Sequence, residues 1–590
     1  MNTYLRDSQG RWNQPTLLLI ALLAAALGLR VWGIWFGLPY VFHNDEDFEI
    51  LRALQLGSGD YNFSRISKGG YFYVLFVEYG LLFVLLLVSG VVSSAAEFGE
   101  LYIRDPSAFY LIGRATTAVI GTFTVLLVYR LGRLAWSPAA GLLGAALLTF
   151  NILHSYLSHL TTVDVPLTFL TIAALYFAAK LITGGSARNY WWAALMAAFA
   201  MSTKIPAVLL VIPLLIAHIY FVSNQGGAIR QYFLSRNLWQ AAGIFVAAYV
   251  ITTPGILFYF DAVVANGLGK FAGAMDFADA GGEGLDERSK LANTSLFVFY
   301  YHAILESMSW PVFILCSAGV LYAIWKHRPV DVMLVAFAGV WYTAMASSTD
   351  QHQFFPRYIL PVIPVMALLG GRLLANLASF LPRDSRRAAV PLVLAALVTL
   401  PVAKIAEKNH SMLKVDTRAV AKAWFDDNIP AGSKVLIEGS RTVVSNATIP
   451  LQNTEQNLRD SIEYWRDRAP GKARYFRMAL NVMPDRTYDL LGVQSGDLRD
   501  LDYYKQLGIQ YLVLRPNKYP GSRVKYDWPE FLEALHSDPD AQLIKRFVPT
   551  EENSVRSPLI EVWRIDSNVQ PEGELQVTDA GSAAAGDGAR

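Results

Sequence analysis

The chain has 590 residues; 53% are hydrophobic, 17% are charged, and the formal net charge is +2. So small an excess of positive charge gives no electrostatic footprint for nucleic acid. A single cysteine, Cys316, excludes an intramolecular disulfide. A soluble chain of this length would divide into several cores, but the apolar residues here fall into long blocks, and blocks of about 18 or more read as membrane helices.

In chain order, Arg6 and Arg11 precede an apolar run from Thr16 to about Leu38. It is too long for the apolar core of a signal peptide and no small-residue cleavage site follows it, so it is expected to be a first membrane helix. Further spans are expected near 71–93, 109–129, 138–155, 165–183, 190–203, 205–222, 238–258, 309–325, 330–349, 356–377 and 389–405. The pair 190–203 and 205–222 is broken at Lys204-Ile205-Pro206, where proline favours a turn or kink. From 406 onward the pattern changes. SKVLIEGS (433–440) and IQYLVLRP (509–516) read as strands and TRAVAKAWFDDN (417–428) as a helix. The expected fold is a polytopic α-helical membrane protein with about 11–13 membrane helices. It comprises a transmembrane domain over 1–405, a soluble α/β domain over 406–567, and a Gly-, Ala- and Ser-containing tail over 568–590 that reads as disordered.

Basic residues collect in short cytoplasmic loops. With the N-terminus inside and 71–93 not crossing, the inner loops hold Arg130 and Arg133, Arg188, Arg230 and Arg236, Lys326 and Arg328, and Arg383, Arg386 and Arg387. That map gives eleven crossings and an outer C-terminal domain. A crossing at 71–93 would invert every later loop and separate the acids near residue 45 from Asp164. The segment is therefore expected to be re-entrant or to lie along the outer surface.

In this topology the outer face gathers charge. Loop 39–108 has His43, Asp45, Glu46, Asp47, Arg65 and Lys68. Loop 156–164 ends in Asp164, and the helix break holds Lys204. Loop 259–308 has Asp276, Asp279, Glu283, Asp286, Glu287 and Arg288, and loop 350–356 leads into Arg357 and Tyr358. Ionisable groups near membrane depth are costly and call for partners or function. Arginine and lysine can hold a phosphate, and a carboxylate can act as a general base. Simpler readings stand beside these. Asp47 and Glu49 are expected to be solvated, Asp164 before Val-Pro suits a helix N-cap, and Arg114 and Glu78 suit structural pairs or snorkelling. His154 and His159 are five apart, which does not match the i,i+4 metal spacing. Asp45-Glu46-Asp47 has oxygen ligands for a divalent cation but lacks the glycine turn of a calcium loop. No metal site and no cofactor are expected, with a divalent cation as the alternative.

Five segments carry a family resemblance: FHNDEDFEILRALQLGSGDYNF (42–63), FYLIGRATTAVIGTFTVLLVYRLGR (109–133), LSHLTTVDVPLTF (157–169), STKIPAVLLVIPL (202–214) and FPRYILPVIP (355–364). In this order they resemble the glycosyltransferase C superfamily. The likeness is greatest to the bacterial relatives of dolichyl-phosphate-mannose–protein mannosyltransferases, with the lipid A aminoarabinose transferases. One departure is SKGGYFYVLF (67–76), where two glycines stand in place of the two prolines that follow a Lys or His in many relatives.

The resemblance implies transfer of a sugar from a polyprenyl-phosphate donor to a lipid, glycan or protein hydroxyl, on the outer face of a bacterial plasma membrane and with inversion. It implies Asp45 as general base, Glu46 as its helper, and Asp164 as a second positioning acid. Arg357, Lys204 and Lys68 would bind the phosphate, with Tyr358 adding a hydrogen bond. Membrane lipids are expected partners and nucleic acid is not. The alternatives are an oligosaccharyl or arabinan-type transferase, or a polytopic transporter of lipid-linked sugars.

Overall fold

The computed structural model describes residues 14–57, 69–258, 260, 295–347, 355–438, 448–493, 498–516, 529–554 and 557–566. The chain divides into two compact units. The first comprises Met1–Val415, Ile462–Val482 and Glu551–Val555; the second comprises Asp416–Ser461, Met483–Thr550 and Arg556–Arg590.

The first unit is helical. Its chain runs through α1 (Gln14–Val31), α2 (Asn44–Gly57), α3 (Gly69–Val88), α4 (Ala95–Arg104), α5 (Ser107–Ala135), α6 (Pro138–Thr149) and the short α7 (Ile152–Leu157). It continues through α8 (Asp164–Ile182), α9 (Arg188–Thr203), α10 (Val211–Asn224) and α11 (Arg236–Thr252). It closes with α12 (Leu296–Met308), α13 (Trp310–Lys326), α14 (Pro329–Ala346), α15 (Val362–Ser379) and α16 (Arg383–Met412). Among the described residues seven helices are long and apolar enough to cross a membrane, and α12 with α13 forms a further apolar pair bent by 115°. The protein is an integral membrane protein. Several expected spans are realised as shorter helices because polar breaks interrupt them: Asn151 caps α7, and Lys204 takes an extended conformation between α9 and a 3-10 turn at Ile205–Leu210.

Small residues let these helices approach closely. A Cβ on Gly132 of α5 would meet the Cα of Gly141 in α6 at 2.6 Å, and one on Gly319 of α13 would meet the backbone of Leu369 and Gly370 in α15 at 2.6 Å. Glycine is required at these crossings because backbone faces backbone.

The segment 71–93, expected not to cross, forms α3. α3 passes the length and apolarity test for a span. However, Tyr71 bonds Thr117 at 2.8 Å and Tyr79 bonds the Phe109 carbonyl at 3.1 Å, so α3 runs antiparallel to only the first part of α5. Asp45 and Asp164 also share one partner, Arg357. The chain between the two acids must therefore cross a membrane an even number of times, a condition met by α5 with α6 and equally by α3 with α5.

The second unit is a five-stranded sheet in the order β2-β1-β3-β5-β4: β1 (Lys434–Glu438), β2 (Asp489–Val493), β3 (Tyr511–Leu514), β4 (Ala541–Phe547) and β5 (Ile560–Ile565). β1 pairs in parallel with β2 and β3, and β5 runs antiparallel to β3 and β4. Side chains alternate across the strands. Val435 and Ile437 pack with Ala421 and Phe425 of the helix Thr417–Asn428, whereas Leu436 packs on the other face with Tyr504, Phe531 and Leu535.

The units part at Val415 and Asp416 rather than at 405, because α16 continues to Met412. The helix Pro470–Asn481, expected within the soluble domain, packs in the first unit instead: Asn481 Nδ2 donates to Glu100 of α4 at 2.8 Å. The 568–590 tail lies outside the described residues.

Both ends of α3 are expected to face the same side of the membrane. In a Cys316→Ala background, Gly57→Cys and Arg104→Cys should react with an impermeant thiol reagent from the same side. Labelling from opposite sides would put α3 across the bilayer.

Candidate active site

Four charged side chains from separate elements meet at one end of the bundle. Asp45 lies in the first turn of α2, Asp164 begins α8, Lys204 sits in the break after α9, and Arg357 lies in the 3-10 turn Pro356–Ile359 before α15. Arg357 Nη1 donates to Asp45 Oδ2. Lys204 Nζ donates to Asp164 Oδ1 at 3.0 Å, and Arg357 Nε stands 3.9 Å from Asp164 Oδ2. Tyr358 forms one wall, with Lys204 Nζ 3.9 Å from its ring centroid. Phe355 packs against the Arg357 guanidinium at 4.4 Å.

Local sequence explains each placement. The φ of −158° and ψ of 125° at Lys204 end α9 and turn its ammonium toward Asp164. Pro206 follows at the start of the 3-10 turn, where its missing N–H is not needed. Asp164 is not the cap of α8: Val163 holds the cap position without a side-chain bond, and the Asp164 carboxylate pairs with Lys204 from the first turn. Pro356 opens the turn that carries Arg357 and Tyr358, and Trp341 Nε1 donates to the Tyr358 carbonyl at 2.9 Å, tying that turn to α14.

Burial grades the four. Asp164 has 4% of its side chain exposed, Lys204 17%, Arg357 19% and Asp45 43%. Burial pulls Lys204 below the ordinary lysine range, opposed by Asp164 and Asp45. Burial would also lower Arg357, but Asp164 and Asp45 outweigh it and hold the guanidinium charged. The two cations and two carboxylates thus form a neutral group with a partly exposed edge at Asp45.

The acids beside Asp45 point elsewhere. Glu46 is fully buried and takes a bidentate pair from Arg114 of α5, with Nε–Oε1 2.8 Å and Nη2–Oε2 2.9 Å. The Thr161 N–H also donates to Glu46 Oε1 at 2.9 Å. Arg114 Nη1 donates to the carbonyls of Ile34 (2.8 Å) and Phe36 (2.9 Å). Burial alone would raise the Glu46 carboxyl; Arg114, His43 and the Thr161 N–H together outweigh it and hold the carboxyl below its ordinary range. Glu46 therefore holds the loop and does not meet the open edge. Asp47 and Glu49, expected to be solvated, are buried, and Asp47 accepts bonds from Tyr102 (3.1 Å) and Tyr110 (3.3 Å). No single-residue signal in the sequence foretold this. Lys68 lies outside the described residues, as does most of loop 259–308.

Other polar residues are structural. Glu78 accepts from Thr116 at 2.6 Å. His159 contacts the carbonyls of Ser155 (2.9 Å) and Trp32 (3.1 Å). His154 accepts from Arg30 at 3.0 Å, a pair the sequence reading missed although an arginine inside the first apolar run was its signal. No group of three or more His, Cys, Asp or Glu that could hold a metal is found among the described residues.

Replacing Arg114 with leucine leaves Glu46 buried without a counter-charge and should cost about 3–5 kcal/mol, seen as a lower thermal midpoint in detergent. Adding Glu46→Leu should recover most of the loss, because an apolar pair of similar volume can replace a buried ion pair. No recovery would show that the carboxylate does more than hold the loop.

No curated protein matches the sequence. Among solved structures, ArnT from Cupriavidus metallidurans bound to undecaprenyl phosphate aligns at 13% identity over 94% of this chain and 99% of its own, with a TM-score of 0.48. The Archaeoglobus fulgidus oligosaccharyltransferase in the apo form aligns at 11% identity over 85% and 69%, with a TM-score of 0.49. The arabinofuranosyltransferase AftD from Mycobacteria aligns at 13% identity over 93% and 41%, with a TM-score of 0.41. The family model for dolichyl-phosphate-mannose-protein mannosyltransferases matches residues 111–256, the stretch that carries Arg114, Asp164 and Lys204, and over that stretch the chain is similar to this family.

Proposed function

We propose that the protein is a membrane glycosyltransferase. It moves a sugar from a polyprenyl-phosphate donor to an acceptor hydroxyl on a lipid, glycan or protein, with inversion, at the outer face of the membrane. The observation that carries this reading is the meeting of Asp45, Asp164, Lys204 and Arg357 at one end of an apolar bundle. A lipid-linked phosphate needs an apolar flank for its tail and fixed cations for its headgroup, and an acceptor hydroxyl needs a base.

Asp45 is the base: it is the most exposed of the four charges and stands beside the phosphate-binding guanidinium. It takes the acceptor proton as the hydroxyl oxygen bonds to the anomeric carbon. The bond from that carbon to the phosphate oxygen breaks, and its electron pair stays on the phosphate. A positioned base contributes on the order of 10²–10⁴-fold. Arg357 and Lys204 bind the phosphate and offset the charge that grows on it. Asp164 orients both cations, and Tyr358 lines the site. In this reading the two cations supply the counter-charge and no metal is needed. The family likeness over 111–256 supports the donor class.

Asp45→Asn should reduce sugar transfer by at least about 10²-fold at normal protein levels, measured with a polyprenyl-monophosphate sugar; wild-type turnover would sink the base assignment. Transfer should persist in excess EDTA, and loss of activity restored by a divalent ion would reassign the acids as metal ligands.

A further inference from the structure

The geometry of the quartet sets a problem for any anionic ligand. Two carboxylates already satisfy the two cations, and the group is neutral. A phosphodiester donor brings one negative charge, and a phosphate monoester product brings up to two. Either must displace a carboxylate from a cation or remain unpaired, and an unpaired charge in a partly buried site is costly.

Exposure decides which carboxylate yields. Asp164 is almost wholly buried and is held at 3.0 Å by Lys204, so releasing it would strand an acid away from water. Asp45 is the most exposed member, and its bond is to the outer nitrogen Nη1 of Arg357. Its carboxylate can turn to solvent, while Arg357, only 19% exposed, stays paired by the incoming phosphate.

We infer that Asp45 and the lipid phosphate are alternative partners of Arg357, so that donor binding releases the base and the base later expels the product. This rests on the proposed transferase reading and adds the order of events to it. In the resting site Arg357 holds Asp45, and a carboxylate held by a guanidinium is the weaker proton acceptor. Donor phosphate takes over Arg357, and Asp45 is freed to face the acceptor hydroxyl. During transfer Asp45 gains a proton and the phosphate gains a negative charge, so the total charge of the site is unchanged. Protonated Asp45 does not compete for Arg357. Once its proton leaves to water, the carboxylate returns to Arg357 and displaces the polyprenyl phosphate. Asp164 and Lys204 stay paired throughout and keep one cation in place.

The test is binding of undecaprenyl phosphate, without sugar, to purified wild-type protein, Asp45→Asn and Arg357→Ala in detergent. Asparagine keeps the shape of Asp45 but cannot compete as an anion. Asp45→Asn should therefore bind the lipid phosphate roughly two- to fivefold more tightly than wild type, although its transfer is strongly reduced, and Arg357→Ala should bind more weakly than both. If wild type binds and Asp45→Asn binds equally or more weakly with an unchanged melting temperature, the exchange is wrong and the transferase reading stands. If neither binds at lipid concentrations that saturate known lipid-phosphate enzymes, the donor assignment fails, and the exchange with it. Raising the pH through the carboxylate range should weaken wild-type binding relative to Asp45→Asn; parallel profiles would also overturn the exchange.

Discussion

The buried pair between Glu46 and Arg114 is the contact on which the site depends. It joins the first turn of α2 to α5, the Ile34–Phe36 backbone and the segment leading to Asp164, through one guanidinium and one carboxylate. With these bonds made, Asp45 has little choice of position. A residue next to a fixed glutamate on a helix points about 100° away, and here that direction meets Arg357. Asp47, on the other side of Glu46, turns to Tyr102 and Tyr110. Three adjacent acids thus take three roles because helical rotation separates them: one faces the open edge, one locks the loop, and one anchors to α4 and α5.

Much of the bundle was legible from apolar runs and basic turns. The break at Lys204-Ile205-Pro206 could be read because proline constrains its neighbours, and the structure places the end of α9 there. Asp45, Asp164, Lys204 and Arg357 could be named because charge at the end of an apolar run is costly and therefore informative. What could not be read was partnership. Composition treats Asp45, Glu46, Asp47 and Glu49 alike, and only tertiary packing separates the fully buried Glu46 from the open Asp45. The helix Pro470–Asn481 was hidden for a related reason. Its polar, basic sequence matches a soluble domain, and only Ala473 and Phe476 on its buried face mark it as belonging to the first unit.

Hydropathy alone does not settle the place of α3. Its apolarity is that of a spanning helix, and no scale based on the segment alone would set it apart from α8 or α10. The constraint comes from residues far away in sequence: acids at 45 and 164 cannot share Arg357 from opposite sides of a membrane. The exposed Leu81, Leu85 and Val88 on α3 suit contact with lipid.

Two arginine–carboxylate pairs lie a few residues apart in the same unit, and their burial gives them opposite characters. In Arg114–Glu46 both partners have at most 1% exposure, and removing either would leave the other without water or counter-charge. Such a pair is kept for as long as the fold is kept. In Arg357–Asp45 the acid is 43% exposed and the guanidinium 19%, so water reaches the carboxylate while Arg357 keeps its need of an anionic partner. A rigid pair positions and a loose pair exchanges. The proposed transfer needs both, because a base must be held within reach of its substrate and yet part from its guanidinium when the proton moves. Placing the two acids on consecutive residues meets both demands, since the bond that fixes Glu46 also fixes the backbone of Asp45 and sets its carboxylate at the exposed edge beside Arg357.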